Sequence, residues 1–113
     1  MARNKLLATP PYAVEQSLKL LGANLRTARL RRNLTVQQMA EKIGTGPRAI
    51  ADAEKGKPST SIATHAALLW VFDLLDQLDA VAAPDRDKEG SILARSRDRL
   101  HARRGSGGMD DDF

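Results

Sequence analysis

Four residues on one short stretch, Arg48, Ala51, Asp52 and Lys55, have the types and spacing to present chemistry to a partner. On a helix that turns about 100° per residue they share an arc of about 100°, opposite Ile50 and Ala53. A guanidinium on that arc can donate two parallel hydrogen bonds to a rigid pair of acceptors. The carboxylate one turn later can either accept a bond from the same partner or hold the arginine in place, and we expect the holding role. Nothing elsewhere in the chain adds reaction chemistry. It has no paired carboxylates, activated nucleophile or glycine-rich phosphate loop with a lysine, so neither catalysis nor a cofactor is expected. With no cysteine, disulfides and thiolate sites are excluded. His65 and His101 lack ligating neighbours, so no metal site is expected either.

The elements that must position this arc can be read from apolar spacing and turn residues. Residues 1–8 lack periodicity and read as a flexible arm. Thr9, Pro10 and Pro11 look like a helix start, with Thr9 as its cap. Val14, Leu18, Leu21, Leu25 and Ala28 then trace one face to about Arg32, and Asn33 tolerates the left-handed conformation that ends a helix. Thr35 caps a second helix, Val36 to Ile43, which Gly44 ends. Thr45 is expected to cap a third to about Lys55, with Pro47 in its first turn. Gly56, Lys57 and Pro58 break the chain. A fourth helix follows Ser59–Ser61, with Ile62, Ala66, Leu69 and Trp70 on its apolar side. Asp73 is expected to cap a short fifth through Val81. No segment alternates with period two, so the fold class is all-α, with five helices over residues 9–84. Residues 85–113 form a charged, partly disordered tail in this reading, with a transient helix over Ser91 to Leu100 and an acidic tip, Asp110 to Phe113.

Charge is distributed unevenly. Residues 1–60 carry 11 Lys/Arg against 4 Asp/Glu, whereas residues 61–94 carry 2 against 6. A basic half suits a polyanion, and the acidic half suits a different partner. The longest apolar run, Ala66 to Phe72, is too short to span a bilayer, and the N-terminus lacks a signal-peptide core, so a cytoplasmic protein without a membrane partner is expected.

Two helices that cross closely need a small residue at the crossing, a turn residue that accepts positive φ, and a buried anchor on the second helix. Ala40, Gly44 and Ile50 supply these in register, and Met39, Ile43 and Ala53 complete the interior set. With Leu25 to Arg29, Leu34 to Gly44 and Ile50 to Gly56, the chain resembles the phage-repressor (XRE/Cro) helix-turn-helix family over roughly residues 21–80. The resemblance implies a lambda-repressor-like DNA-binding domain. It also implies an ion pair between Arg29 on the first helix and Glu54 at the end of the recognition helix. Family contact positions fall on Pro47, Arg48, Ala51 and Asp52. Val36 stands where the family often has a phosphate-binding glutamine, and neighbouring Gln37 is the substitute. Arg48 is the strongest base reader, because its fork matches guanine O6 and N7. Pro47 offers apolar contact, and Asp52 could alternatively accept from cytosine N4. Lys55 and Lys57 are expected on phosphates.

Such proteins bind palindromic double-stranded operators as twofold dimers. The run from Leu68 to Leu78 holds more apolar bulk than a small core needs, so Trp70, Phe72 and Leu75 are expected at a homodimer interface. The alternative is that all of it is core. Leu74 to Leu78, the stretch Pro84 to Gly90 and the terminal Asp-Asp-Asp-Phe resemble HipB-type antitoxins. That implies a repressor of its own operon that also binds a HipA-like kinase toxin. A stand-alone phage-type repressor and an interaction module that no longer reads DNA are the competing readings. The arginines from Arg95 to Arg104 read either as a partner- or DNA-contacting segment or as a solubilising end.

Overall fold

The computed structural model describes residues 5–104. The elements are α1 (Lys5–Ala8), α2 (Tyr12–Arg31), α3 (Val36–Ile43), α4 (Pro47–Lys55), α5 (Ile62–Val71), α6 (Leu75–Asp79), a 3₁₀ turn (Pro84–Arg86) and α7 (Lys88–Arg104). Every regular element among the described residues is helical, as the spacing implied. The chain divides into two compact units, Met1–Leu78 and Asp79–Phe113. Met1–Asn4 of the N-terminal arm and the acidic tip Asp110–Phe113 lie outside the described residues, while Lys5–Ala8 form one helical turn.

In the first unit α2 begins at Tyr12 with Pro11 as its N-cap, not with Thr9 as cap. Each proline biases the residue before it toward extended backbone, which keeps Thr9 and Pro10 out of the helix, and Pro11 itself is extended at ψ 151. Its buried residues, Gly22, Leu25 and Arg29, lie at helical spacing, and Leu21 and Ala28 pack beside them. Asn33 ends the segment at φ 55. A capping box opens α3: the Gln38 amide donates to the Thr35 hydroxyl at 3.0 Å, and the Thr35 amide donates to the Gln38 side chain at 2.9 Å. Sequence reading found the threonine but missed Gln38, although a hydroxyl followed three residues later by glutamine is a recognisable signature. At the end of α3, Gly44 takes φ 75 and the Thr45 amide donates to the Ala40 carbonyl at 2.9 Å. Thr45 lies one residue before the N-cap of α4, which is Gly46, so it does not cap that helix.

The core consists of Leu25, Met39, Ala40, Ile50, Ala53, Leu68 and Phe72. Met39, Ile50 and Leu68 are its largest fully enclosed side chains, each worth about 1.5–3 kcal/mol of burial. Its inward residues on α5 are His65 and Leu68, followed by Phe72 at the C-cap. Burial lowers the proton affinity of His65 below the ordinary histidine range. Ile62 and Trp70, which spacing places on one apolar side with Ala66 and Leu69, are exposed while Leu69 packs against the core, so α5 is apolar on two faces. Asp73 takes φ 61 while the Leu74 amide reaches the Leu69 carbonyl at 2.8 Å, which makes it the stop of α5 rather than the cap of α6. Aspartate is one of the few residues that visit the left-handed region readily.

Two glycines set how closely α2 and α4 approach. A Cβ on Gly22 would lie 2.5 Å from the Glu54 carbonyl oxygen and 2.7 Å from that of Ala53. One on Gly56 would lie 2.6 Å from the Leu18 carbonyl oxygen. Gly56 also takes φ 75, so it serves both as the left-handed stop of α4 and as a contact surface for the α2 backbone.

The second unit contains the 3₁₀ turn and α7. The Gly90 amide donates to the Asp87 carboxylate at 3.0 Å, closing the first turn of α7, and no residue of α7 is buried. The helix extends beyond the Ser91 to Leu100 stretch expected to be helical, in both directions.

Gly44 and Gly56 share the same backbone strain, but only Gly56 faces a neighbouring backbone. In urea unfolding Gly44→Ala should cost about 1–2 kcal/mol for the left-handed residue. Gly56→Ala should cost a further ~1–3 kcal/mol for overpacking.

Candidate nucleic-acid interface

The site is a helix, a turn and a second helix, held to α2 by one ion pair. Arg29 Nε donates to Glu54 Oε2 at 2.6 Å and Nη2 donates to Oε1 at 3.0 Å. The remaining nitrogen, Nη1, donates to the Leu34 carbonyl at 2.8 Å. Both side chains are only 9% exposed. The hydrogen bond to Glu54, reinforced by its charge, raises the Arg29 pKa further above its already high value against the opposing effect of burial. One guanidinium thus fixes the end of α4 and the entry to α3 against α2. Arg32 makes a second tie that sequence reading missed: it donates to the Ala28 and Phe72 carbonyls at 2.9 and 3.1 Å and lies 5.0 Å from the centre of the Phe72 ring. No sequence signal marks it, because its partner is a carbonyl 40 residues away.

On this frame the two sides of α4 differ in burial. Ile50 and Ala53 are buried, Arg48 and Lys55 are exposed, and Ala51 and Asp52 are half-buried between them. Gln37, Pro47 and Lys57 are also exposed. Val36 packs against the core and so offers no polar contact, as the departure at that position suggested. Ala40, Gly44 and Ile50 occupy the crossing, the turn and the anchor.

Two expected roles change. Asp52 does not hold Arg48; it pairs with Lys57 at 3.4 Å, across the Gly56 turn, where the Lys57 amide also donates to the Asp52 carbonyl at 3.1 Å. The left-handed turn folds Lys57 back over the last turn of α4, bringing its ammonium nearer to Asp52 than the arginine one turn earlier. Phe72 is 3% exposed and sits in the core under Arg32, so it is unavailable to a partner subunit. Leu75 is half-buried and Trp70 is 65% exposed.

Arg48 is left with no ion pair or hydrogen bond from its side chain among the described residues. It sits in the first turn of α4, directly after Pro47, at an N-terminus with no acidic residue and no side-chain cap. A cation there opposes the helix dipole, at a cost of about 0.3–1 kcal/mol. Stability alone gives no reason for an arginine at that place. Its guanidinium is free to donate to an anionic or acceptor-rich group beyond the helix end.

Among the described residues, no group of acidic, histidine or cysteine side chains could hold a metal ion, and no helix is long and apolar enough to cross a membrane. Residues 25–69, from the middle of α2 to near the end of α5, match the helix-turn-helix family model. No match was found among curated proteins or among solved structures.

Removing one member of the Arg29–Glu54 pair leaves a desolvated charge, so Arg29→Met or Glu54→Met should lose about 3–5 kcal/mol in urea unfolding. The double substitution to methionine should be milder than either single one, because it leaves neither charge unpaired.

Proposed function

We propose that the protein, whose residues 25–69 match the helix-turn-helix family model, is a sequence-specific DNA-binding transcriptional repressor that places α4 in the major groove. The observation that carries this reading is Arg48, exposed, unpaired and placed against the dipole of an uncapped helix end. In the groove its fork would meet guanine O6 and N7, while Pro47 and Ala51 would offer apolar contact to a neighbouring thymine methyl. Gln37 at the start of α3, with Lys55 in the last turn of the arc and Lys57 beyond it, would bind phosphates and set the register. Asp52, occupied by Lys57, supports that lysine's position instead of reading a base.

A homodimer on a palindromic operator completes this reading, because one short helix reads only a few base pairs. The dimer surface we propose is the outward face of α5, where Ile62 and Trp70 are each 65% exposed, two turns apart, with half-buried Ala66 between them. Phe72 is removed from the earlier expectation and Leu75 stays at its margin. Within this function the finer reading is an antitoxin that represses its own operon and restrains a HipA-like kinase. It is supported by the resemblance of Leu74 to Leu78 and of the terminal residues, and an adjacent reading frame for such a kinase is its discriminating observation.

Binding to DNA from upstream of the protein's own coding sequence tests the main proposal. Arg48→Ala should lose about 1–3 kcal/mol, confined to one base position per half-site. Equal loss on every sequence would make Arg48 a phosphate clamp, and absence of binding by the unaltered protein would end the reading. The dimer is tested separately by sedimentation: Trp70→Ser should weaken self-association roughly tenfold or more, from the burial lost by one large side chain. An unchanged sedimentation profile would exclude the α5 face.

A further inference from the structure

Among the described residues, the most concentrated unpaired charge lies outside the helix-turn-helix, on α7. Its 17 residues carry six Lys/Arg against two Asp/Glu. Arg95, Arg99 and Arg103 recur at every fourth position and share an arc of about 80°. None of the arginines of α7 makes an ion pair among the described residues, and all are exposed. Only Arg95 has an acidic residue, Asp98, at a spacing that permits pairing along the helix.

Helix stability accounts for part of this charge. Arg103 and Arg104 lie in the last turn and Glu89 in the first, each at the favourable end of the dipole. Arg95, Arg97 and Arg99 lie in the middle, where the dipole effect is spent, and like charges four residues apart disfavour the helix. A membrane-facing apolar side does not account for it either. The large apolar residues of α7 are Ile92, Leu93 and Leu100, all exposed, with Ile92 about 100° around from the other two. Such a face is too narrow for a helix that lies in a membrane surface, which needs a broad apolar side. A repulsive arginine row on a polar helix is matched by a linear polyanion, whose charges recur every ~1.7 Å along a duplex.

We propose that α7 is a second DNA contact, in which Arg95, Arg99 and Arg103 neutralise backbone phosphates and add affinity without reading sequence. This rests on the DNA-binding reading above, and it assigns discrimination to α4 and a large part of the salt-dependent affinity to α7. Arginine suits the role because each guanidinium can grip two phosphate oxygens at once.

The test uses the full chain and two labelled duplexes of equal length, one from upstream of its own coding sequence and one of scrambled sequence, titrated over a series of salt concentrations. Arg95→Gln/Arg99→Gln leaves the last turn intact and keeps good helix formers. It should reduce the magnitude of the salt slope by about 2 on both duplexes, from ~0.9 per phosphate contact, with their affinity ratio unchanged. Arg95→Lys/Arg99→Lys, which keeps the charge, should retain the slope. A slope unchanged in the glutamine variant overturns the proposal. So does an unchanged slope accompanied by lost binding to phosphatidylserine vesicles, which would assign the row to a membrane surface. If the unaltered chain fails to prefer its own duplex but the glutamine variant still lowers the slope, the base-reading function fails while the α7 contact stands. If the unaltered chain binds neither duplex, both fall.

Discussion

The Arg29 guanidinium is the joint on which the first unit depends. It spends two of its nitrogens on Glu54 at the end of α4 and the third on the Leu34 carbonyl at the entry to α3. A buried ion pair of this kind adds little net stability once desolvation is counted, and its value here is geometric. Both helices of the motif are referred to one side chain on α2, so their crossing cannot drift independently of it. Gly22 and Gly56 allow the approach that makes the pair short: without side chains at those two points, the α2 and α4 backbones come nearer than any Cβ would permit. The charge pair holds the helices together, while the glycines set how near they come.

That division also explains what could be read from the sequence. Ala40, Gly44 and Ile50 follow from local requirements, namely a small crossing residue, a positive φ and an apolar anchor, and local requirements leave marks at fixed spacing. The Arg29–Glu54 pair was reachable only through resemblance, since its partners lie 25 positions apart. Gly22 was unreadable because a glycine in mid-helix has the same local signature whether it faces solvent or another backbone. The misplaced caps differ in cause. Thr9, Thr45 and Asp73 are good capping residues, but α2 and α4 take their N-caps later, at Pro11 and Gly46, and Asp73 becomes the left-handed stop of α5. Residues suited to start a helix are also suited to stop one, and propensity does not say which.

The apolar run of α5 was ambiguous for a different reason. Periodicity locates a core face only when the opposite face is polar, and this helix is apolar on both. The structure gives the inner face to His65, Leu68 and Phe72 and leaves Ile62 and Trp70 in water. Arg32 strengthens that choice by closing over the Phe72 ring and binding its carbonyl, which anchors the end of α5 to the end of α2. Phe72 and Trp70 are two residues apart, so a helix cannot bury both against the same neighbour. Whichever face enters the core commits the other to solvent or to a partner.

The absence of an Asp52 brace on Arg48 bears on how tightly a single copy of this domain can bind. With Asp52 turned to Lys57, no acidic group braces the arginine, and its side chain keeps rotamer freedom worth about 2 kcal/mol. A bidentate contact to guanine contributes about 1–3 kcal/mol of discrimination, and the cost of ordering the arginine is taken from its affinity. In the proposed role, affinity therefore has to come from elsewhere: from phosphate contacts that ignore sequence, and from a second recognition helix whose ordering cost accompanies a second set of base contacts. The exposed tryptophan on α5 and the arginine row on α7 are the two features of the chain that answer those needs. A braced arginine would have lessened the need for both.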